Sequence, residues 1–187
     1  MGEPKGRIIL INGPSSSGKS TLAAMVYKKL EVPFIRFSFD LFLDGYSLPK
    51  EKIRTGQFDW KKWRPGFVKG YHSCWAAFAE AGNNLLIDHI IEEEAWITDL
   101  LELLNGIDLF CVGVHCSTEE LERREQERGN RRLGDALRDL DFVHKYIMYN
   151  VEINTEQPLE ENANTLIQAW KDRNQPSAFE KMRQNKQ

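Results

Sequence analysis

Short apolar runs alternate along this chain with longer segments in which apolar residues recur at helical spacing. The runs that read as strands cover residues 7–12, 34–39, 84–87, 109–114 and 151–153. Runs that are apolar at consecutive positions are typical of strands buried on both faces of a parallel sheet. The pattern therefore predicts a three-layer α/β fold with a five-stranded parallel sheet and helices on both sides.

The segments between these runs favour helices, and two stretches favour no regular structure. Helices are expected over residues 19–30, 41–46, 65–81, about 92–104, from the capping pattern at 117–120, over 137–146 and over 158–173. Residues 47–64 show no clear periodicity and are expected to be irregular, and the polar residues 175–187 are expected to be frayed. No linker or internal repeat interrupts the pattern, so residues 1–187 are predicted to form a single domain.

The first predicted strand leads directly into a glycine- and serine-rich turn that opens the first helix. This turn matches the P-loop pattern G-x-x-x-x-G-K-[ST], whose backbone N–H groups and following helix N-terminus bind phosphate. Lys19 is expected to reach the β- and γ-phosphates of ATP, and Ser20 to place its hydroxyl on Mg²⁺. The predicted ATP-binding residues of this turn are Gly13, Pro14, Ser15, Ser16, Ser17, Gly18, Lys19, Ser20 and Thr21. A surface turn that binds nothing is the less favoured alternative, because a strand and a helix flank the motif.

Two aspartates follow predicted strands and therefore should lie at the same sheet edge as the P-loop. Asp88 fits a metal-binding role beside Ser20, and the alternative is that it caps the next helix. Asp40 fits a general base for the acceptor hydroxyl, and the alternative is that it caps the helical turn at 41–46. The spacing alone does not decide between the two roles of Asp40.

A basic run with Arg123, Arg124, Arg128, Arg131 and Arg132 follows the fourth predicted strand. It could be a solvated charged face, since glutamates are interleaved with the arginines. A lid over about residues 124–136 is favoured, because glycines at 129 and 134 permit hinging and arginine suits phosphate recognition. Arg124, Arg128 and Arg131 are the expected nucleotide contacts, with Arg128 also assigned to catalysis.

Aromatic residues cluster around the irregular segment. Phe58, Trp60 and Trp63 could line an acceptor pocket or could pack in the core, and their place in the irregular segment does not separate these alternatives. Tyr71 and Trp75 are expected to pack in the core, since they recur at helical spacing. Residues 40–64 are therefore predicted to form the acceptor side of the site.

Net charge, the length of apolar runs and the cysteine content indicate which partners and which compartment to expect. The net charge of −3 offers no basic field for nucleic acid, so no nucleic-acid partner is expected. The chain has no apolar run of membrane-spanning length, and three cysteines in 187 residues favour a reducing compartment. A cytoplasmic protein without a membrane partner is therefore expected. His89 and His144 have no metal-ligand spacing with the cysteines, which argues against a zinc site.

Several stretches resemble the chloramphenicol 3-O-phosphotransferase family. They are residues 9–20, Asp40 after the second strand, Leu85-Leu86-Ile87-Asp88, Val112-Gly113-Val114-His115-Cys116, Arg124-Glu125-x-x-Arg128-Gly129-x-Arg131, Val143-His144 and Tyr149-Asn150-Val151-Glu152. The resemblance implies an ATP-dependent kinase that phosphorylates a hydroxyl of a small molecule. It also implies that Asp40 is the base and that arginines of the basic run contact the nucleotide. The chain departs from the family pattern at His89, which stands where a second acidic residue is usual, and at residues 47–64, where acceptor specificity is expected.

The function expected from these features is phosphoryl transfer from Mg-ATP to a hydroxyl of a chloramphenicol-like antibiotic or related compound. A nucleotide, nucleoside or sugar-nucleotide kinase similar to zeta toxins is the nearest alternative. A GTPase-like switch is disfavoured, because the only Asn-Lys pair, Asn185-Lys186, is not part of a guanine-recognition motif. A scaffold that binds ATP without transfer is a further alternative. The oligomeric state is left open.

Overall fold

A computed structural model of the chain describes residues 4–44, 47–128 and 134–185. Within these ranges the chain alternates between strands and helices. The strands are β1 (Ile8–Asn12), β2 (Ile35–Ser38), β3 (Leu85–His89), β4 (Leu109–His115) and β5 (Val151–Asn154). The helices are α1 (Lys19–Lys29), α2 (Phe39–Asp44), α3 (Lys50–Arg54), α4 (Trp60–Glu80), α5 (Glu94–Leu103), α6 (Thr118–Arg128), α7 (Asp135–Leu140), α8 (Leu159–Lys171) and α9 (Ala178–Asn185). Among the residues so described, no helix has both the length and the hydropathy needed to cross a bilayer.

The five strands form one parallel sheet in the order β2-β3-β1-β4-β5, which confirms the predicted fold class. Successive side chains of β1 point to opposite faces. Ile8 and Leu10 pack with α4, α5 and α9. Ile9 and Ile11 pack with α1 and α8 on the other face. The continuous apolar character of β1 thus reflects burial on both sides, as expected for the central strand of a three-layer fold.

The strand register brings the P-loop, Asp88 and Asp40 together at one edge of the sheet. Asp88 of β3 lies between Ile11 of β1 and Ser38 of β2 in the register of the sheet. The P-loop follows β1 and Asp40 follows β2, so both leave the sheet beside Asp88. The predicted convergence at the carboxyl ends of the strands is therefore present in the fold.

The prediction that residues 47–64 are irregular is wrong. Helix α3 covers Lys50–Arg54, and α4 begins at Trp60 rather than at residue 65. The side chain of Asp59 caps α4 by accepting hydrogen bonds from the backbone N–H groups of Lys61 (3.0 Å) and Lys62 (3.4 Å). Pro65 lies inside the helix and does not start it.

The C-terminal residues are also more ordered than predicted. Helix α9 buries Phe179 and Met182 against the sheet face that carries Ile8. Arg183 donates hydrogen bonds to the carbonyl oxygens of Leu101 (2.9 Å) and Leu104 (3.1 Å), at the end of α5. These bonds supply side-chain donors to carbonyl groups at the C-terminus of the helix. The prediction of a frayed 175–187 segment is therefore wrong for Ala178–Asn185.

One further helix differs from the sequence prediction, and another agrees with it but buries an unexpected side chain. The helix expected over 137–146 is the short α7, Asp135–Leu140, followed by turns. Helix α6 is highly charged, as expected, and Ser117 Oγ accepts from the N–H of Glu120 at its start. Its buried side chains are Leu121 and Glu125, so one carboxylate of this charged helix lies in the protein interior.

Candidate active site

The P-loop forms a compact turn between β1 and α1. Gly18 precedes the helix with a φ of 87°, a left-handed conformation that favours glycine. Lys19 curls back over the loop and donates a 2.6 Å hydrogen bond from Nζ to the carbonyl oxygen of Pro14. The side-chain hydroxyls of Ser16 and Ser17 are buried and have no hydrogen-bond partner among the described residues. Buried polar groups are costly unless a partner satisfies them, and Ser16 lines the cavity beside the loop, so its hydroxyl suits a bound anion.

The loop is held from behind by the last residue of β1. The fully buried amide of Asn12 donates to Tyr149 Oη and to the carbonyl oxygen of Val143, both at 2.7 Å. Its Oδ1 accepts from the N–H of Ile91 at 2.9 Å. Gly113 of β4 makes room for this arrangement, since a Cβ at that position would lie 2.6 Å from the Tyr149 ring. The Val-Gly-Val stretch of β4 therefore has a steric reason for its glycine.

Ser20 and Asp88 contact each other beside the P-loop. Ser20 Oγ donates to Asp88 Oδ2 over 2.6 Å. Asp88 is buried, and its Oδ1 accepts no hydrogen bond from the described residues. Asp88 lies in β3 and α5 begins only at Glu94, so Asp88 does not cap that helix. The Ser20 hydroxyl and the unsatisfied Oδ1 of Asp88 are oxygen ligands of the kind that Mg²⁺ prefers. They fit a magnesium ion that also binds phosphate oxygens of the nucleotide.

No cluster of three or more His, Cys, Asp or Glu side chains suited to a metal ion occurs among the described residues.

Asp40 lies in the first turn of α2 and faces the same cavity as the P-loop. The helix starts at Phe39, and Ser38 Oγ accepts from the N–H of Asp40 at 3.3 Å. Ser38 thus precedes the helix in the capping position, and the alternative that Asp40 is the cap is wrong. The half-buried Asp40 carboxylate remains the candidate base.

The cavity has a volume of about 950 Å³. Its wall combines P-loop residues, the two candidate aspartates and the charged side chains of three helices. The lining residues include Ser15, Ser16, Gly18, Lys19, Ser20, Thr21, Asp40, Trp60, Arg64, Asp88, Glu92, Arg124, Arg128, Asp135, Arg138, Asp139 and Thr155. Gly13, Pro14 and Ser17 support the loop instead. Gly13 packs against β4, where a Cβ would lie 2.6 Å from the Val114 carbonyl oxygen.

Arg124 is held across the C-terminal half of the P-loop. Its guanidinium donates to the carbonyl oxygen of Ser17 (3.3 Å) and to both oxygens of Thr155 (3.1 and 3.0 Å). Thr155 Oγ1 itself donates to the Ser17 carbonyl oxygen at 2.6 Å. Sequence reasoning missed Thr155, because a lone threonine after β5 carries no motif. Arg124 thus lines the cavity from a fixed position within α6.

Arg128 also lines the cavity and is exposed at the end of α6. Arg131 and the proposed hinge glycine at 129 lie outside the described residues. The start of α7 is anchored by the buried Glu125, whose two carboxylate oxygens accept from the N–H groups of Gly134 (2.6 Å) and Ala136 (2.9 Å). Glu125 caps the start of α7 in this way, a role that the charged pattern of α6 conceals.

Asp139 of α7 reaches the first half of the P-loop. Its buried carboxylate accepts a 3.0 Å hydrogen bond from the backbone N–H of Ser15 and pairs with Arg138. Arg138 also pairs with Asp135, one turn earlier. No local pattern indicates this contact, since 124 residues separate Ser15 from Asp139.

The aromatic residues of the predicted acceptor side divide into three groups. Trp60 lines the cavity. Phe58 and Trp63 stack on each other at 5.0 Å, and neither lines the cavity. Tyr71 and Trp75 are buried in the core, as predicted.

The two histidines at the back of this wall form a buried pair. His72 Nε2 and His89 Nε2 lie 3.1 Å apart, and the His89 ring stacks on Trp96. Burial lowers the pKa of His72 to about 4. Burial, together with the neighbouring His72, holds the pKa of His89 well below its ordinary value. Both rings are therefore neutral near pH 7, and one nitrogen donates to the other.

Comparison with known proteins agrees with this geometry. The model of the chloramphenicol phosphotransferase-like protein family matches residues 6–171. A protein of Mycobacterium tuberculosis strain H37Rv, provisionally named an O-phosphotransferase, is 30% identical over 97% of this chain and 90% of its own length.

Solved structures share the fold at much lower sequence identity. The APS kinase of Mycobacterium tuberculosis, in complex with AMPPNP and APS, superposes with a TM-score of 0.67 at 17% identity, covering 90% of this chain and 99% of that chain. The shikimate kinase of Bacteroides thetaiotaomicron superposes with a TM-score of 0.59 at 16% identity, covering 88% of this chain and 98% of that chain. The sheet order, the P-loop and the family match over residues 6–171 lead to one assignment: the chain is a phosphotransferase of the chloramphenicol phosphotransferase-like family, with the fold of a P-loop kinase.

Proposed function

We propose that the protein transfers the γ-phosphoryl group of ATP to a hydroxyl group of a small molecule, with Asp40 as the general base. The observation that carries this proposal is that Asp40, Lys19 and the Ser20–Asp88 pair line one cavity. Phosphoryl transfer needs a phosphate cradle, a metal site and a group that accepts the proton of the attacking hydroxyl. The described residues supply a candidate for each of these parts.

The nucleotide half of the cavity supports the binding of a triphosphate. The N-terminus of α1 presents the positive end of the helix dipole to the loop, and no acidic side chain lies in the first turn of this helix. Lys19 adds a positive charge that can follow the transferred phosphoryl group. Arg124 and Arg128 also line the cavity, where guanidinium groups can bind phosphate oxygens or stack on the base.

Ser20 Oγ and Asp88 Oδ1 are the residues that would hold Mg²⁺. When bound, the ion neutralises charge on the β- and γ-phosphates. Asp40 then accepts the proton of the acceptor hydroxyl as the new P–O bond forms and the bond to the β-phosphate oxygen breaks, which releases ADP.

The acceptor is expected to be a chloramphenicol-like antibiotic or a related hydroxyl compound. The test is incubation with Mg-ATP and a panel of hydroxyl compounds that includes chloramphenicol, with products read by mass spectrometry for the mass of one added phosphoryl group. Nucleosides and sugar nucleotides belong in the panel, because a kinase for such acceptors would use the same cradle.

Asp40→Asn is the decisive variant, and Asp99→Asn, an exposed aspartate of α5, is its matched control. Asn keeps the shape of the side chain but cannot accept the proton. We expect turnover of Asp40→Asn to fall by about 10²- to 10⁴-fold, with ATP affinity close to that of the control. Near-normal turnover of Asp40→Asn would overturn the base assignment, and an absence of phosphoryl transfer to every compound would overturn the proposed reaction.

A further inference from the structure

The acceptor side of the cavity contains an ion pair that the phosphoryl-transfer machinery does not use. Arg64 of α4 pairs through Nη2 with Glu92, which lies between β3 and α5. Both side chains line the cavity, and about 30% of each is exposed (27% for Arg64 and 30% for Glu92). The pair is therefore partly desolvated but open to a ligand.

The orientation of Arg64 is fixed from behind. Its guanidinium lies over the ring of Trp96, 5.2 Å from the centroid, and Trp96 stacks in turn on the buried His89. Trp60, one helical turn before Arg64 on α4, lines the same cavity. An acceptor in this half of the cavity would meet an aromatic surface beside a pre-oriented guanidinium.

The pair retains hydrogen-bonding capacity toward the cavity. Among the described residues, Arg64 donates only through Nη2, and Glu92 accepts only through Oε1. Nε and Nη1 of Arg64 and Oε2 of Glu92 are therefore left for a ligand. Donor and acceptor groups side by side match the two hydroxyls of a diol, each of which can donate and accept.

The charge of this wall disfavours an acidic ligand. Outside the P-loop, Asp88 and α6, the cavity lining carries the carboxylates Asp40, Glu92, Asp135 and Asp139 and the guanidinium groups Arg64 and Arg138. Both guanidinium groups are already paired with carboxylates of the same wall. Burial raises the pKa of Glu92, which agrees with a carboxylate held away from bulk water. An anionic acceptor at Nε and Nη1 of Arg64 would lie beside the Glu92 carboxylate, so that one guanidinium would face two negative charges.

We propose that the Arg64–Glu92 pair selects the acceptor: it binds a compound with neighbouring hydroxyl groups and no acidic group, and it rejects the corresponding acid. This inference rests on the proposed function, since it concerns the acceptor of that reaction. Specificity of this kind comes from a repulsive element, Glu92, as much as from the attraction of Arg64.

The experiment uses matched pairs of acceptors that differ in one acidic group. Suitable pairs are methyl shikimate with shikimate, and glucose with gluconate. The ratio of kcat/KM for the neutral member over the acid is measured for the wild type, for Glu92→Gln and for Glu94→Gln. Glu94 is an exposed neighbour at the start of α5 and serves as the matched control. Melting temperatures with AMPPNP and each acceptor report binding without transfer.

For the wild type we expect the neutral member to be favoured by about tenfold or more, because like charges placed together across an interface cost affinity. Glu92→Gln removes the repulsion and leaves the Arg64 charge available, so the ratio should fall by about tenfold. KM for ATP should stay unchanged, because the pair lies outside the nucleotide half. Glu94→Gln should behave as the wild type.

A wild-type preference for the acids, or equal ratios for Glu92→Gln and Glu94→Gln, would overturn the inference and leave the proposed transfer intact. The inference would also be overturned if no neutral diol in the panel is phosphorylated and none raises the melting temperature. ATP-dependent transfer to another compound, lost in Asp40→Asn, would show in that case that only the acceptor inference had failed.

Discussion

Ser20 Oγ and Asp88 Oδ2 lie 2.6 Å apart and join the start of α1 to the carboxyl end of β3. The two residues are 68 positions apart in the chain. Their contact follows from the pairing of β1 with β3, which sets Ile11 beside Asp88. The remaining oxygen of Asp88 is buried without a partner among the described residues, so this site has capacity for one more ligand.

We expect Asp88→Asn to weaken the binding of nucleotide only when magnesium is present. Residues that support a metal site usually change metal affinity by about 10- to 100-fold. Nucleotide affinity should therefore fall by about that factor in Mg²⁺ and stay near the wild-type value in EDTA. Titration with a fluorescent ATP analogue under both conditions measures this, and an equal loss in EDTA would argue against a metal-binding role.

Lys19→Ala should abolish transfer without unfolding the protein. The lysine lines the cavity and donates to the Pro14 carbonyl oxygen within its own loop, so its truncation leaves no gap in the hydrophobic core. Loss of one preorganised cationic donor to the transferred group typically lowers kcat by about 10²- to 10³-fold. Lys28→Ala, an exposed lysine on the same helix, is the control. A Lys19→Ala enzyme with the kcat of Lys28→Ala would remove Lys19 from the mechanism.

Glu125→Gln should destabilise the protein. The buried carboxylate accepts from two backbone N–H groups at the start of α7, and Gln can satisfy only one of them well. A buried donor left without a partner costs about 1–3 kcal/mol of free energy of unfolding. Urea unfolding compares this variant with Glu122→Gln, whose glutamate is exposed on the same helix. Equal stability of the two variants would show that the capping contact contributes little.

The buried histidine pair predicts a stability that depends on pH. The pKa of His72 is about 4 in the folded protein, below the ordinary value of about 6.5 for an unfolded chain. Between these values the unfolded chain binds more protons, so stability is lost as the pH falls from about 6.5 toward 4. His72 alone should cost roughly 2 kcal/mol between pH 7 and pH 5.

Urea unfolding at pH 7 and pH 5 measures this loss for the wild type and for His72→Leu. The difference between the two pH values should be smaller in the variant, whatever its absolute stability. His89 and His144, whose pKa values burial also lowers, leave part of the dependence in place. An unchanged difference would mean that protonation of His72 is not coupled to unfolding.

The sequence was sufficient for the sheet and for the P-loop because both depend on local patterns. Runs such as the one in β1 report burial on two faces, and the spacing of Gly13, Gly18 and Lys19 reports a phosphate-binding turn. The start of α4 could also have been found, because Asp59 is a favourable capping residue before Trp60. The rule that Pro opens helices favoured residue 65 instead.

Other parts of the site had no local signal. Arg64 and Glu92 meet only because α4 and the β3–α5 connection pack together, and each alone looks like a solvated charge. The same is true of Ser15 and Asp139. Helix α9 was missed for a different reason, since its polar composition hid the buried spacing of Phe179 and Met182.

Helix α9 lies beyond the end of the family match, but it packs into the core of the fold. The family match ends at residue 171, but Phe179 and Met182 complete the apolar layer beneath α5, and Arg183 closes the end of that helix. The segment that the family model matches is therefore shorter than the segment needed to bury the apolar layer beneath α5. A fragment designed on the family boundary would carry every residue of the proposed chemistry and still leave the layer beneath α5 uncovered.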